Sequence, residues 1–241
     1  MDAIPDFKPL YLQVKDLLMQ RLVTGAWRPG EALPSEFGLA AEFKVSQGTV
    51  RKALDELAAQ NLLVRQQGKG TFVAQHTPQR ALFHFFHLVS DDGGRALPGS
   101  RVLSLTAAKG KPGETRRLGL KAGAKVIRLK RVRPLGGEPA IFERIVLPAA
   151  RFPNFVQRLP ADIPNEVYRY YEDAYGVTVA RAVEKLKAVS ATAEEARAIG
   201  LAKDAPLLEI DRIAYAIDGS AVEWRLSRCS TARHHYLSEI V

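Results

Sequence analysis

The sequence predicts an α+β chain in two domains, and three observations carry that prediction. Apolar residues recur at helical spacing through roughly the first sixty positions and then give way to a glycine-turned hairpin. Beyond residue 81 the pattern becomes one of strands with short helices between them. Within that second part, a unit at about residues 102–147 recurs at about 183–227, with matching positions at a shift of 81. The length, 241 residues with 46% hydrophobic and 25% charged residues, suffices for one large or two modest domains.

Residues 9–24 read as a helix, with Pro9 suited to the first turn and Leu10, Val14, Leu17, Leu18, Met19 and Leu22 at helical spacing. Gly25 and Pro29-Gly30 end it. Ser35 is placed to cap a short second helix that turns Leu39, Ala40 and Phe43 inward, with Glu36 at the favourable end of the helix dipole. After a tight turn, Ser46 caps a third helix whose stripe is Val50, Ala53, Leu54 and Leu57. Its opposite face presents Gln47, Gly48, Arg51, Lys52 and Asp55. Leu62 to Arg65 and Thr71 to Val73, joined by Gln66-Gln67-Gly68-Lys69-Gly70, form a hairpin. This order is that of a winged helix-turn-helix: the apolar stripe anchors the third helix and leaves its polar N-terminal turn free for a major groove.

Charge refines this expectation. The net charge is +9, yet residues 1–75 hold 9 Lys and Arg against 8 Asp and Glu, and the other 166 hold 26 against 18. Bulk charge alone does not mark a nucleic-acid reader, although residues 44–75 carry a local excess of 5 against 2. The run from Lys109 to Arg133, with ten Lys and Arg and the single acid Glu114, reads mostly as a solvated face. No apolar run of about 18 residues exists, and Met1-Asp2-Ala3-Ile4-Pro5-Asp6 lacks the regions of a signal peptide, so a cytoplasmic protein is expected. The single cysteine, Cys229, allows neither an intrachain disulfide nor a CxxC site. His84 with His87, and His234 with His235, have no acidic or thiol residues at ligand spacing, so no metal is expected. Without a GxSxG elbow, a P-loop or a GxGxxG turn, no cofactor and no enzymatic activity are expected either.

Residues 76–80 read as a polar linker, Ala81 to Val89 as a strand and Asp91-Asp92-Gly93-Gly94 as a turn. In the repeat, Glu114 aligns with Glu195, Arg116 with Arg197, Leu118-Gly119-Leu120 with Ile199-Gly200-Leu201, and Arg131-Val132 with Arg212-Ile213. Each unit reads strand, short helix, strand, turn, strand, with turns at Gly136-Gly137 and Asp218-Gly219, which implies a pseudo-symmetric antiparallel sheet with helices packed on it. Val167 to Tyr175 is a helix between the units, stopped at Gly176. Strand alternation puts Arg131 and Arg133 on one face with Ile127 and Leu129, and Glu143 on one face with Ile141 and Ile145. Two arginines at i, i+2 suit a forked grip on a phosphate or carboxylate, with Glu143 taking ligand hydroxyls or amines; an internal Arg-Glu pair across the hairpin is the equal alternative.

The head resembles the GntR family of bacterial transcription regulators. The resemblance rests on Pro9-Leu10-Tyr11-Leu12-Gln13-Val14, Pro29-Gly30 with Leu33-Pro34-Ser35-Glu36, Val45-Ser46 with Thr49-Val50-Arg51 and Ala53-Leu54, and Gln67-Gly68-Lys69-Gly70-Thr71-Phe72-Val73. It implies DNA contacts from Ser35, Gln47, Thr49, Arg51, Lys52, Gly68, Lys69 and Gly70. Phe37 and Gln47 stand where the family usually has DNA-contacting arginines; Gln pairs with adenine where Arg prefers guanine, so a shifted operator is expected. Residues 80–241 resemble the UTRA domain of the HutC subfamily, through Leu129 with Arg131 and Arg133, Glu138-Pro139, Glu143, Leu147-Pro148, Tyr168, Tyr175-Gly176, Glu223 and Arg233. That resemblance implies a chorismate lyase-like fold and an effector pocket at Arg131, Arg133, Glu143, Tyr168 and Glu223. Glu166 and Cys229 replace residues common in relatives, and a carboxylate near a phosphate would repel it, which disfavours a sugar phosphate and favours a less charged or partly cationic effector. The domains are expected at 1–75 and 81–241, the second also dimerising. The function expected is a homodimeric repressor that binds a palindromic operator and is released by a small metabolite, with no membrane involved. A lyase-like enzyme and a ligand-independent architectural DNA binder are the rival expectations.

Overall fold

The computed structural model describes residues 8–76, 86–93, 98–158 and 163–239. The chain divides into two compact units, Met1–Gln75 and His76–Val241. The first holds helices α1 (Leu10–Val23), α2 (Glu36–Phe43) and α3 (Gln47–Ala59), then strands β1 (Leu63–Gln66) and β2 (Gly70–Val73). Val14, Leu18 and Leu22 of α1 meet Val50, Ala53, Leu54 and Leu57 of α3, all buried. Leu10 and Leu17 do not belong to that stripe: they are exposed, because only the i, i+4, i+8 row of α1 faces α3. Phe43 is half-buried beneath Arg21, whose guanidinium lies 4.9 Å from its ring centroid.

Both expected caps form. The Ser35 side chain accepts the amide of Gly38 at 3.0 Å, and Ser46 accepts that of Thr49 at 3.1 Å. Between them, Lys44 takes a left-handed conformation (φ 55°) that turns the chain from α2 into α3. Ser46→Ala is therefore expected to destabilise the first unit by about 1 kcal/mol. Chemical denaturation followed by helix circular dichroism checks this, and an unchanged midpoint would refute it.

The second unit is built on an antiparallel six-stranded sheet in the order β4-β5-β6-β9-β8-β7. Its strands are β4 (Arg101–Lys109), β5 (Lys125–Leu135), β6 (Glu138–Pro148), β7 (Val179–Ser190), β8 (Pro206–Ala216) and β9 (Ala221–Cys229). The sequence repeat is the sheet's symmetry: β4-β5-β6 and β7-β8-β9 are equivalent halves that meet where β6 pairs with β9, Glu143 opposite Ser227. Helices α4 (Pro112–Arg117) and α7 (Ala193–Ile199) occupy equivalent places. In each, the aligned glutamate closes the first turn, Glu114 accepting the amide of Lys111 at 2.6 Å and Glu195 that of Thr192 at 2.9 Å. These helices cover one face of the sheet, where Leu118 packs with Val126 and Val146, and Ala196 and Ile199 pack with Val132 and Phe142.

On the opposite face lie the short α5 (Phe155–Arg158) and α6 (Val167–Tyr175). Val167, Tyr168 and Tyr171 of α6 are buried against Ile145, Ala214 and Val222. Gly176, in the left-handed region at φ 63°, ends α6 where expected. A two-stranded ribbon of β3 (Leu88–Ser90) and β10 (His234–Tyr236) completes the unit. The expected strand at 81–89 is thus observed only from Leu88; residues 81–85, with His84, and Gly94 of the expected turn lie outside the described residues. Within the expected linker, His76 is not solvated: it is buried, its ring nitrogen Nε2 lying 3.1 Å from the carbonyl of Val179, while 77–80 are outside the described residues. Among the described residues no helix is long and apolar enough to cross a membrane.

Candidate functional site

The first unit presents a charged cluster at the N-terminal end of α3, and its centre is Glu36. The carboxylate accepts Arg51 Nε at 2.9 Å on one oxygen and Arg65 at 2.8 Å on the other, with Gln47 at 3.4 Å. Arg65 also bridges to Asp55 at 2.7 Å. Burial works against the charged Glu36, but the bonds from Arg51 and Arg65 outweigh it and hold its carboxyl below the usual range. Gln47 and Arg51 thereby sit side by side on the exposed face of α3, where the stripe argument puts them. Thr49 is half-buried with its hydroxyl 2.8 Å from that of Ser46, and Lys52 lies 4.0 Å from the ring centroid of Tyr11. Ser35 is exposed but spends its side chain on the α2 cap. Gly68 (φ 71°) and Gly70 (φ 117°) flank the exposed Lys69 at the hairpin tip. Phe37 is 77% exposed, an aromatic ring one residue beyond Glu36.

The second unit holds a cavity of about 60 Å³ between the α6 side of the sheet and residues 86–88 with Tyr236. Arg133, Glu143 and Tyr168 line it, as do Arg212, Arg225 and Glu166. Arg131 and Glu223 do not line it: each lies in the layer beneath, because each is closed off by an internal partner. Arg131 is wholly buried and donates to Glu143 at 2.6 Å, the residue directly opposite it on β6. Glu223 accepts Tyr168 at 2.9 Å, Tyr171 at 2.8 Å and both Nε and Nη2 of Arg225. The internal Arg-Glu pair across the hairpin is formed by Arg131 and Glu143, whereas Arg133 lines the cavity.

Repeat symmetry accounts for the charge of this site. Arg131 pairs across β5 and β6 with Glu143, whereas the equivalent positions on β8 and β9 are Arg212 and Arg225. One half of the sheet therefore carries an arginine where the other carries the glutamate. Arg225 lies 3.6 Å from Glu143, and Arg212 lies 2.5 Å from Glu184. Arg133 donates to the carbonyls of Pro98, Gly99 and Asn165, and its nearest carboxylate oxygen, on Glu143, is 3.8 Å away. Burial and the neighbouring Arg131 guanidinium disfavour its charge, while burial's opposite pull on Glu143 is overcome by Arg131, Arg225 and Arg133. Cys229 is buried in the same wall, where loss of solvation pushes its thiol well above the usual range.

Sequence reasoning missed Arg212, Arg225 and Glu36. The alignment of Arg131 with Arg212 was the available signal for the first. Arg225 was hidden because the β8-β9 turn is longer, which moves its equivalence to Glu143 out of the 81-residue register.

Comparison with known proteins places this geometry. The model for bacterial regulatory proteins of the gntR family matches residues 10–73, and that for the UTRA domain matches 94–235. The histidine utilization repressor of Pseudomonas putida is 31% identical over 206 residues, 85% of this chain and 81% of that protein. The mannosyl-D-glycerate transport/metabolism system repressor MngR of Escherichia coli is 29% identical over 228 residues, 93% of this chain and 92% of the relative. Among solved structures, the ligand-binding domain assigned to a GntR-family regulator of Bordetella bronchiseptica superposes with a TM-score of 0.58 at 27% identity. It covers 66% of this chain and 99% of its own. PhnF from Mycobacterium smegmatis shares the fold, with a TM-score of 0.56 at 24% identity over 95% and 99% of the two chains.

Proposed function

We propose, for a chain that belongs to the gntR family of bacterial regulatory proteins and carries the UTRA domain of its HutC-type members, a repressor whose two units divide reading from sensing. The first unit binds DNA. Gln47, Thr49, Arg51 and Lys52 meet bases and phosphates, Ser35 abuts the backbone, and Gly68, Lys69 and Gly70 form the wing. The protein acts in the cytoplasm as a homodimer on a palindromic operator, since one helix reads too few base pairs and a two-fold dimer doubles the contacts.

The second unit takes a small metabolite, and the observation that supports this reading is a cavity lined by charged groups of both signs, Arg133, Arg212 and Arg225 with Glu143 and Glu166, on the α6 side of the sheet. Arg133 and Tyr168 touch the ligand with Glu143, while Arg131 and Glu223 hold these groups in place. Binding favours a dimer geometry that misfits the operator, and a coupling of about 1–3 kcal/mol changes affinity roughly 5- to 150-fold. The unit senses its ligand and returns it unchanged, so mass spectrometry after incubation should find no product.

The test is mobility shift of a fragment from upstream of the protein's own gene against a shuffled fragment of equal length, across a salt series. A preference of about tenfold or more for the native fragment is expected, well within the usual specificity of such readers. Lys69→Ala should weaken both complexes alike and flatten the salt dependence by about one phosphate contact. Equal binding to both fragments would favour the architectural reading.

A further inference from the structure

The cavity carries charge of both signs, and the two are unequally satisfied. Beneath its arginines three carboxylates are already engaged: Glu143 by Arg131, Glu223 by Arg225 and two tyrosines, Glu184 by Arg212 and Tyr236. Glu166 differs from these three. It stands at the N-terminal end of α6, half-buried and lining the same cavity. No side-chain hydrogen bond or ion pair joins it to another described residue.

Its position relative to Arg133 is fixed by the backbone, because Arg133 Nη2 donates at 3.2 Å to the carbonyl of Asn165, the residue immediately before it. A buried guanidinium whose nearest carboxylate oxygen is 3.8 Å away, and a carboxylate with no partner among the described residues, thus open on one small space. A guanidinium that meets carbonyls closely but its carboxylate only at 3.8 Å, and a carboxylate beside it, are both better satisfied by a ligand bearing the complementary charges. A dianionic ligand would relieve Arg133 and be repelled by Glu166. The open space of about 60 Å³ is small, so a compact polar head fits it better than a bulky apolar one.

We infer that the effector is a zwitterion of the amino-acid type, its anionic group held at Arg133 and its protonated nitrogen at Glu166. The inference rests on the reading of this cavity as the effector site, and Glu166 is then the residue that selects against sugar phosphates.

The experiment is calorimetry on the full chain, wild type and Glu166→Gln. The probes are inorganic phosphate and unbranched α,ω-aminocarboxylates of two to six carbons, each beside its N-acetyl counterpart. Glu166→Gln should bind phosphate about tenfold more tightly once the repelling charge is gone. At least one aminocarboxylate should bind the wild type about tenfold better than its N-acetyl form, and that preference should vanish in the variant. Equal phosphate affinity in the two proteins overturns the inference, and so does the absence of any amine preference. Arg133→Gln separates the levels: probe binding that is absent altogether, or that this variant leaves untouched, overturns the cavity as the effector site itself.

Discussion

Glu143→Ala is expected to destabilise the second unit by about 3–5 kcal/mol, because it leaves a buried arginine without its counter-charge. The side chain of Arg131 has no exposed surface and spends its Nε on Glu143 at 2.6 Å, while Arg225 and Arg133 approach the same carboxylate at 3.6 and 3.8 Å. Arg131, Arg133 and Arg225 would then lose the carboxylate they share, and of the three only Arg225 would keep a bonded carboxylate, that of Glu223. Removing both partners should behave differently. Arg131→Met with Glu143→Leu is expected to recover part of that loss, since it removes the wholly buried guanidinium together with its counter-charge, while Arg133 and Arg225 still lose the carboxylate they share. Chemical denaturation of the single and double variants checks this, and a double variant as unstable as Glu143→Ala would show that lost volume, not unpaired charge, sets the cost.

The same carboxylate predicts a pH dependence. Glu143 has its pKa lowered in the folded state from the ordinary 4.5, so its contribution is fully present above that value and is lost as pH falls through the folded value. The wild type should therefore lose more stability than Glu143→Ala between about pH 5 and pH 2, and the gap between the two should narrow with acid. A gap that stays constant would mean that Glu143 is not the titrating group.

What could be read from the residues divides along a physical line. Local periodicity and caps were legible: Ser35 and Ser46 cap their helices, Val50, Ala53, Leu54 and Leu57 are buried, and Gly176 stops α6. The repeat was legible too, because the paired glutamates Glu114 and Glu195 and the glycines Gly119 (φ 61°) and Gly200 (φ 74°) perform the same local tasks in both halves. Burial inside the site was not. Strand alternation gives the face of Arg131 and Arg133 but not their depth, which depends on how α6 and residues 86–88 close over the sheet. Likewise the link from Glu36 to Arg51 and Arg65 spans 15 and 29 residues, and no local spacing encodes it.

Arg51→Ala is expected to lower affinity for the native upstream fragment by about tenfold or more, and Gln47→Arg to change which base that fragment needs. Glu36 holds Arg51 through Nε and Nη2, both at 2.9 Å, and anchors Arg65 on its other oxygen, so the guanidinium is oriented before DNA arrives. Arg51 is nevertheless 59% exposed at its side chain, which leaves part of its donor fork open to a phosphate or a guanine edge. Lysine, a point charge without that fork, should rescue Arg51→Ala only in part. Gln47, beside it on the exposed face, offers the paired donor and acceptor that match adenine, whereas arginine in its place matches guanine. Selection of sites from random DNA should move one position per half-site from A to G in Gln47→Arg, with a discrimination of about 1–3 kcal/mol. An unchanged preference would remove Gln47 from the base contacts and leave the reading to Arg51 and to the exposed ring of Phe37.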